Sequence, residues 1–276
     1  MSYDKSVADH YLHGDLLKAI EAALPTLGKT IRNVTIEDLA PVDEFHVGGR
    51  LATDHLFKQL NFSEQGYLLD VGCGLGGAAR YVATKYKNRV AGIDLTPEFI
   101  ETGNALCHWL NLDKFVSLEQ GSALSMPFQG KTFDGGYMLH VGMNIDDKAS
   151  LFAEIFRVLK SGSAFGVYDI MRQTDGELVY PVPWATDSST SKLATPDQYQ
   201  QALSDAGFTI SKQNNRRDFS LEFFKQQRAK TEAHGGPPPL GLHTLMGETT
   251  ARKVKNMVEN ITNDLIAPVE IIVHKS

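Results

Sequence analysis

Apolar and polar positions over residues 67–172 follow two different periods. Short apolar runs of about five residues predict five buried strands, beginning at Tyr67, Arg89, Phe115, Phe133 and Ala164. The segments between several of these runs repeat apolar residues at helical spacing, which predicts helices over about 78–86, 97–111 and 148–160. This alternation of strands and helices predicts an α/β fold with a parallel sheet and right-handed crossovers.

The first 65 residues follow a helical pattern that is broken by loops. Amphipathic helices are predicted over 15–24 and 50–60, and the second of these would turn Leu51, Leu56, Phe57 and Leu60 inward. Between them, Thr35 and Asp38 can form a capping box. We therefore predict a helical extension over residues 1–62 and an α/β domain over residues 63–276.

The C-terminal third combines helices with two further strands. Thr195 and Gln198 are spaced as a capping box with a proline at the first helical position, and this predicts a helix that ends at Gly207. Strands are predicted over 208–213 and 266–273. The helices predicted over 219–233 and 241–260 fall between these strands. We expect them, within about 219–262, to form a cover over a ligand site.

Composition narrows the class of protein. The 276 residues are 42% hydrophobic and 22% charged, with a formal charge of −6. No apolar run is long enough for a membrane span, the N-terminus lacks the apolar run of a secretory signal, and no Lys/Arg block could neutralise phosphates. We expect no nucleic-acid or membrane partner. The two cysteines and scattered histidines predict a cytoplasmic protein without a metal site.

The most informative segment is a glycine-rich loop between the first strand and the helix after it. Gly72, Gly74 and Gly77 match the pattern G-x-G-x-x-G, and Asp94 ends the second strand. This spacing is compatible with a dinucleotide site, in which glycines admit a pyrophosphate and the acidic residue binds a ribose.

Three features disfavour NAD as the ligand. Asp70 lies two residues before Gly72, where its carboxylate would repel a pyrophosphate but attract an ammonium group. Polar residues Gly121 and Ser122 follow the third strand, at the expected place of an adenine edge. The sequence also contains no recognisable set of dehydrogenase catalytic residues, so we regard an NAD-dependent oxidoreductase as the weakest alternative.

The sequence resembles class I S-adenosylmethionine-dependent methyltransferases of the small-molecule type, within the wider type 11 family. The resemblance rests on segments that occur in the family order, namely residues 68–77, 92–97, 121–128, 133–134 and 156–162. It implies a Rossmann-like seven-stranded sheet with an antiparallel last strand and helices on both faces. It also implies a helical N-terminal lid, with the C-terminal helices as a cover.

The resemblance assigns cofactor contacts to the strand ends. It implies that the methionine part of the cofactor lies against Asp70, Gly72, Cys73, Gly74 and Gly77. Asp94 would accept hydrogen bonds from both ribose hydroxyls, with Leu95 against the adenine and Leu139 at the end of the fourth strand. Ser122 stands where many relatives have Asp, so the backbone of Ala123 is expected to contribute more to adenine recognition.

A segment before the helix over 50–60 resembles the His-x-Gly lid of methyltransferases that act on sarcosine and dimethylglycine, phosphoethanolamine or quinone precursors. His46 and Arg50 are the candidate lid residues that bind the cofactor, and Tyr11 is the candidate tyrosine that closes over the site. The alternative is that His46 fills a turn and Tyr11 is a half-buried aromatic residue.

The residues that contact the methyl acceptor are predicted to follow the fourth strand. His140 stands where a strand end meets the ligand in this architecture, as a base or as a lining residue. Asn144 takes the place at which phosphoethanolamine enzymes carry a catalytic His, and could hold an acceptor nitrogen. For an acceptor with a carboxylate, the cationic candidates are Arg50, Arg172, Arg216 and Arg217.

The hypothesis is an S-adenosylmethionine-dependent methyltransferase that releases S-adenosylhomocysteine. Its acceptor would be a small molecule, specifically an amine such as sarcosine or dimethylglycine. The alternatives are a silent S-adenosylmethionine-binding protein and an O- or C-methyltransferase of a natural product or quinone precursor. The N-terminal helices could cover the site or form a homodimer.

Overall fold

The computed structural model describes residues 3–276, and its centre is one seven-stranded sheet. The strands are β1 (Tyr67–Val71), β2 (Arg89–Asp94), β3 (Val116–Gln120), β4 (Phe133–Leu139), β5 (Leu159–Arg172), β6 (Phe208–Asn215) and β7 (Ile266–Lys275). Their order across the sheet is β3-β2-β1-β4-β5-β7-β6. The pairs among β1 to β5 are parallel, whereas β7 is antiparallel to both β5 and β6. The predicted sheet with an antiparallel last strand is therefore confirmed.

Eleven α-helices are described over residues 3–276. They are α1 (Tyr3–Tyr11), α2 (Leu16–Ala23), α3 (Ile36–Asp43), α4 (Gly49–Leu60), α5 (Gly77–Lys85), α6 (Pro97–Trp109), α7 (Lys148–Val158), α8 (Pro196–Asp205), α9 (Arg217–Ala233), α10 (His243–Met246) and α11 (Thr250–Thr262). Both predicted capping boxes form, at Thr35 with Asp38 and at Thr195 with Gln198. The sequence pattern had not predicted α1.

Helices cover both faces of the sheet because its strands are apolar on both sides. On one face, α7 and α8 pack through residues such as Phe152 and Leu203. On the other face, α4, α5 and α6 pack through residues such as Leu56 and Ile100. Leu51, expected on the inner side of α4, is instead 62% exposed.

The boundary between α7 and β5 differs from the prediction. The helix expected to end near Lys160 ends at Val158, and β5 begins at once with Leu159. Gly162, predicted to close the helix, adopts φ +80° within the strand segment. Because β5 pairs with β4 on one side and β7 on the other, tertiary pairing outweighs the local helical pattern here.

The C-terminal helices differ in how they approach the site. Of these helices, α10 reaches the cavity at the carboxyl ends of the strands through Leu245. In contrast, α11 contributes Met257 and Ile261 to a separate apolar cluster around Trp184. No helix in the described part of the chain combines the length and apolarity needed to cross a bilayer.

Candidate active site

A cavity of about 530 Å³ opens at the carboxyl ends of β1, β2, β3 and β4. This is the edge of an open α/β sheet at which ligands bind, next to the point where the strand order reverses between β1 and β4. Thirteen of the fifteen predicted site residues line it, namely Tyr11, His46, Asp70, Gly72, Cys73, Gly74, Asp94, Leu95, Ser122, Ala123, Leu139, His140 and Asn144. One cavity thus joins residues from the N-terminal extension and the sheet.

The glycine loop turns sharply under one end of the cavity. Gly72 and Gly74 adopt φ of +68° and +52°, a left-handed conformation that L side chains rarely take. A Cβ atom on Gly72 would also clash with the side chain of Val141. The backbone N–H groups of Gly72 and Cys73 donate to the carbonyl of Ile93 at 2.8 and 3.0 Å. The loop is therefore fixed against β2 with its backbone exposed to a ligand.

Asp70 places a buried carboxyl group beside this loop. The residue is 2% exposed, and its Oδ2 accepts a hydrogen bond from the Tyr137 hydroxyl at 3.0 Å. Burial raises the pKa of Asp70 to about 8, and the charges of Asp94 and Glu44 add to this effect. A carboxyl group in this position is stabilised as an anion by a cationic ligand group, such as an ammonium.

Asp94 is held in place by backbone donors at the end of β2. Its Oδ2 accepts from the Gly74 N–H, and its Oδ1 accepts from the Thr96 N–H, each at 2.9 Å. Leu95, Ser122 and Ala123 continue the same wall of the cavity. The arrangement leaves a fixed carboxylate with remaining acceptor capacity next to an apolar surface, which suits a ribose and a base.

Two predicted cofactor residues, Arg50 and Gly77, lie outside the cavity lining. The Arg50 guanidinium pairs with the buried Glu44 carboxylate and lies over the Tyr81 ring, 4.1 Å from its centroid. Gly77 begins α5 and packs so tightly on Asp43 that a Cβ atom there would clash. Both residues support the walls of the site, and neither is placed to contact a ligand.

His46 is buried between the extension and the sheet. Its Nε2 lies 3.0 Å from the Gly49 carbonyl and 2.9 Å from Thr53 Oγ1, and its ring meets the His140 ring edge-on at 6.0 Å. Burial lowers the pKa of His46 to about 4. The residue is neutral at physiological pH and holds the turn before α4 while it lines the cavity.

His140 lies in the cavity wall, with its ring near those of His46 and Tyr168. It follows β4 with φ +55°, its N–H donates to the Tyr168 carbonyl at 2.7 Å, and its ring lies 5.0 Å from the Tyr168 ring. Its Nε2 is buried without a hydrogen-bond partner among the described residues. Burial holds the pKa of His140 well below its usual range, so the ring is neutral. His140 is thus a neutral residue of the cavity wall whose Nε2 is enclosed by protein.

Asn144 connects three segments of the chain beside the cavity. Its Oδ1 accepts from the Tyr11 hydroxyl at 2.9 Å, and its Nδ2 donates to the carbonyls of Trp184 and Thr190 at 3.0 and 2.9 Å. Its own carbonyl accepts from the Tyr3 hydroxyl at 2.7 Å. Because the protein itself uses both amide hydrogens, Asn144 has no donor left for an acceptor nitrogen.

Other lining residues had not been singled out from the sequence. The cavity is also lined by Tyr3, Phe45, Phe99, Lys192 and Leu245. They come from separate parts of the chain; Phe45 directly precedes His46 in the lid segment, and the others stand in no motif. Leu245 lies in a segment whose apolar residues recur at helical spacing, and this pattern was its signal in the sequence.

Comparison with known proteins identifies the central part of the chain. Residues 69–167 match the family model described as a methyltransferase domain. This segment is a methyltransferase domain. It runs from β1 to β5 and carries the glycine loop, Asp94 and His140, which confirms the resemblance seen in the sequence.

Relatives of this methyltransferase domain act on different substrates. Phosphoethanolamine N-methyltransferase 1 of Arabidopsis thaliana is 30% identical over 190 residues, which are 67% of this chain and 37% of the relative. The first three curated relatives are matched over 26% to 46% of their own length. The whole-protein activity of these relatives therefore does not transfer directly to this chain.

Solved structures share the fold over most of the chain. A candidate sarcosine dimethylglycine methyltransferase from Galdieria sulphuraria superposes with a TM-score of 0.65 at 18% identity, covering 83% of this chain and 85% of that one. Phosphoethanolamine N-methyltransferase 2 of Haemonchus contortus, in complex with phosphomonomethylethanolamine and S-adenosylhomocysteine, superposes at 0.76 and 19% identity. That match covers 100% of this chain and 61% of the other. At these identities the likeness establishes the fold.

Proposed function

We propose that the protein is an S-adenosylmethionine-dependent methyltransferase that methylates a small amine acceptor, such as an N-methylated glycine. The observation that carries the proposal is the pair of carboxyl groups at neighbouring strand ends in one cavity, Asp70 beside the glycine loop and Asp94 beside Leu95. Asp70 matches an ammonium group, and Asp94 matches a ribose diol. S-Adenosylmethionine carries these two polar features on opposite sides of its sulfonium sulfur.

The residues of the cavity fit this cofactor better than a dinucleotide. The buried Asp70 carboxyl group would face the pyrophosphate of NAD, which would oppose its ionisation and offer it no counter-charge. It would instead neutralise the amino-acid ammonium of S-adenosylmethionine. The left-handed Gly72 and Gly74 allow the backbone to approach the ligand closely. Asp70, Gly72, Gly74 and Asp94 would hold the cofactor, with Leu95, Ser122 and Ala123 around its base.

The bound cofactor would supply an electrophilic methyl carbon, which bonds to the acceptor lone pair while the carbon–sulfur bond breaks and its electrons stay on sulfur. The protein's part is to align the acceptor and exclude water. The lid residues Tyr3 and Tyr11, bonded to Asn144, close the acceptor side. The neutral His140 is the candidate base for the proton that a secondary amine loses, and this role requires its ring to present a nitrogen to the acceptor.

Calorimetric titration with S-adenosylmethionine, S-adenosylhomocysteine and NAD tests the proposal. We expect micromolar binding of the first two and no binding of NAD. Binding of NAD alone would overturn it. Acceptor screening would then start from amines, followed by hydroxyl and carbon acceptors.

A silent binding protein is the second candidate, and one observation favours it. Asn144 replaces a catalytic His of the phosphoethanolamine enzymes, and its amide hydrogens are occupied within the protein. A silent protein would bind S-adenosylmethionine in the titration but release no S-adenosylhomocysteine with any acceptor. Release of S-adenosylhomocysteine that depends on an amine excludes it.

Binding of S-adenosylmethionine is expected to depend on pH through Asp70. The pKa of Asp70 is about 8 in the free protein, so the group is largely protonated at pH 7. A cofactor ammonium beside it favours the carboxylate, so binding at pH 7 should release a proton. We expect affinity to rise up to about tenfold per pH unit from pH 6 to near 8 and to fall again at higher pH, where the cofactor ammonium loses its own proton.

Titrations in phosphate and Tris buffers measure this proton release, because the two buffers differ in ionisation enthalpy. Asp70→Asn should bind more weakly and lose the pH dependence. Since Glu44 also has a pKa raised by burial, to about 7, Glu44→Gln is the matched control and should keep most of the slope. Equal binding heats in both buffers for the unmodified protein would contradict the assignment of Asp70.

A further inference from the structure

The acceptor side of the cavity contains one cationic side chain. Lys192 is the only lysine or arginine among the described residues that line the cavity. The four arginines considered from the sequence are engaged elsewhere. Arg50 and Arg216 pair with the buried Glu44 and Glu270, and Arg172 and Arg217 donate to backbone carbonyls.

The backbone of Lys192 is hydrogen-bonded through both its N–H and its carbonyl to the segment that carries Asn144. Its N–H donates to the Met143 carbonyl at 2.7 Å, and its carbonyl accepts from Lys148 Nζ at 2.9 Å. Lys148 is itself buried, with 8% exposure. The segment that carries Lys192 is therefore fixed next to Asn144.

The Lys192 ammonium group lies over the Tyr3 ring, 5.5 Å from its centroid. It has no hydrogen bond or ion pair with another residue in the described part of the chain. The Tyr3 hydroxyl in turn donates to the Asn144 carbonyl. Among the described residues, the Lys192 ammonium group thus has no ion-pair partner, and it lies beside Tyr3, which is bonded to Asn144.

Carboxylates lie on the same rim. Asp4 and Asp146 line the cavity, and their charges add to the burial that raises the pKa of Tyr3 to about 12. Asp147 also lines it, but its side chain accepts from the N–H and hydroxyl of Ser150 at the start of α7. The rim therefore presents charges of both signs around Tyr3.

We propose that Lys192 is a specificity-determining residue that binds the carboxylate of an amino-acid acceptor whose amine points inward toward His140. This proposal rests on the proposed methyltransferase function and extends it by naming the residue that selects acceptors with a carboxylate. With its amine directed inward, the acceptor leaves its carboxylate at the rim, where Lys192 is the cation among the described lining residues.

A phosphate or diphosphate acceptor fits this rim less well. Such dianions are commonly held by arginine forks or by several cations, and the cavity lining contains a single lysine. The carboxylates of Asp4 and Asp146 would repel the second negative charge. The single ammonium group of Lys192 can balance the charge of one acceptor carboxylate.

The test compares acids with their neutral amides. Glycine, sarcosine, N,N-dimethylglycine and β-alanine would each be assayed beside the corresponding primary amide, because the two members of a pair differ mainly in charge. We expect the unmodified protein to prefer the acid in at least one pair. Lys192→Met should lower kcat/KM for that acid about 10- to 100-fold and leave the amide nearly unchanged. Lys192→Arg should restore most of the preference for the acid.

Lys114→Met is the matched control, since Lys114 is exposed and lies outside the cavity lining. A merely structural role for Lys192 beneath Tyr3 would raise KM equally for acid and amide, and this result would overturn the proposal. A loss of S-adenosylmethionine affinity in Lys192→Met would also overturn it, because the cation would then serve the cofactor.

Measurement of S-adenosylmethionine binding distinguishes a failure of the Lys192 assignment from a failure of the methyltransferase proposal. If the unmodified protein binds S-adenosylmethionine but prefers the acid in no pair, the carboxylate assignment fails and the methyltransferase proposal survives. Where turnover is too slow to measure, acid and amide are titrated into the protein loaded with S-adenosylhomocysteine. Equal affinities for the acid and the amide in every pair would likewise overturn the carboxylate assignment and leave the methyltransferase proposal intact. Failure to bind S-adenosylmethionine at all would overturn both.

Discussion

Replacing Asp94 by alanine is expected to weaken S-adenosylmethionine binding by about 100-fold or more. The Asp94 carboxylate is fixed by the N–H groups of Gly74 and Thr96, so it is already oriented for a ligand. Two hydrogen bonds from ribose hydroxyls to a charged acceptor are each worth about 1.5–3 kcal/mol, and about 1.4 kcal/mol corresponds to tenfold in affinity. Calorimetric titration of the variant measures the loss.

The alanine variant also removes an acceptor from Gly74, so its effect must be separated from loosening of the glycine loop. Asp94→Asn retains one oxygen and nearly the same shape, and should fall between the unmodified protein and Asp94→Ala. Asp113→Ala removes an exposed carboxylate after the end of α6 that pairs with the exposed His108 across 3.4 Å, and it should change neither affinity nor melting temperature. Undiminished binding by a folded Asp94→Ala protein would refute the ribose assignment.

The part of the cavity assigned to the cofactor, around the glycine loop and Asp94, could be predicted because the sequence motifs that mark it are local. The turn after β1 needs glycines at left-handed positions, and Asp70 and Asp94 stand at or next to strand ends that the apolar pattern already locates. The carboxyl ends of neighbouring parallel strands meet at one edge of the sheet, so local order gives spatial proximity. The residues predicted along β1, β2 and β4 therefore line the cavity.

The part of the cavity assigned to the acceptor, around Asn144 and Lys192, depends on contacts between distant segments. Such contacts could not be predicted from the sequence. Asn144 was assigned a free amide, but its partners are Tyr11, Trp184 and Thr190 from two other parts of the chain. Arg50 pairs with Glu44 because α4 begins with a tight turn that brings the two together. Lys192 lies in a loop without a motif, and only the folded arrangement places it beside Tyr3.

Gly77 shows that a matched motif position need not contact the ligand. It completes the G-x-G-x-x-G spacing, but the structure uses it for close packing of α5 on Asp43. That packing supports the buried ion pair between Asp43 and Arg80 across 2.6 Å, and Arg80 in turn donates to the Leu75 carbonyl of the glycine loop. A glycine here serves helix packing, which a spacing rule does not distinguish from ligand contact.

Replacing His140 by alanine is expected to lower turnover by about 100-fold if the imidazole takes the acceptor proton, a size typical of general-base catalysis. The ring is neutral because burial holds the pKa of His140 far below its usual range, and its Nε2 has no partner among the described residues. Turnover should therefore show no loss from protonation of His140 between pH 6 and 8. Single-turnover rates measured across this range test both statements.

Alanine alone is an ambiguous test, because His140 adopts φ +55° and alanine is strained there. The matched control is His140→Asn, since asparagine tolerates this backbone conformation but cannot act as a base at neutral pH. If a proton must be removed, His140→Asn should fold and bind S-adenosylmethionine normally while turnover stays about 100-fold low. If His140→Asn turns over at the original rate, the imidazole only lines the cavity, and the amine loses its proton directly to water.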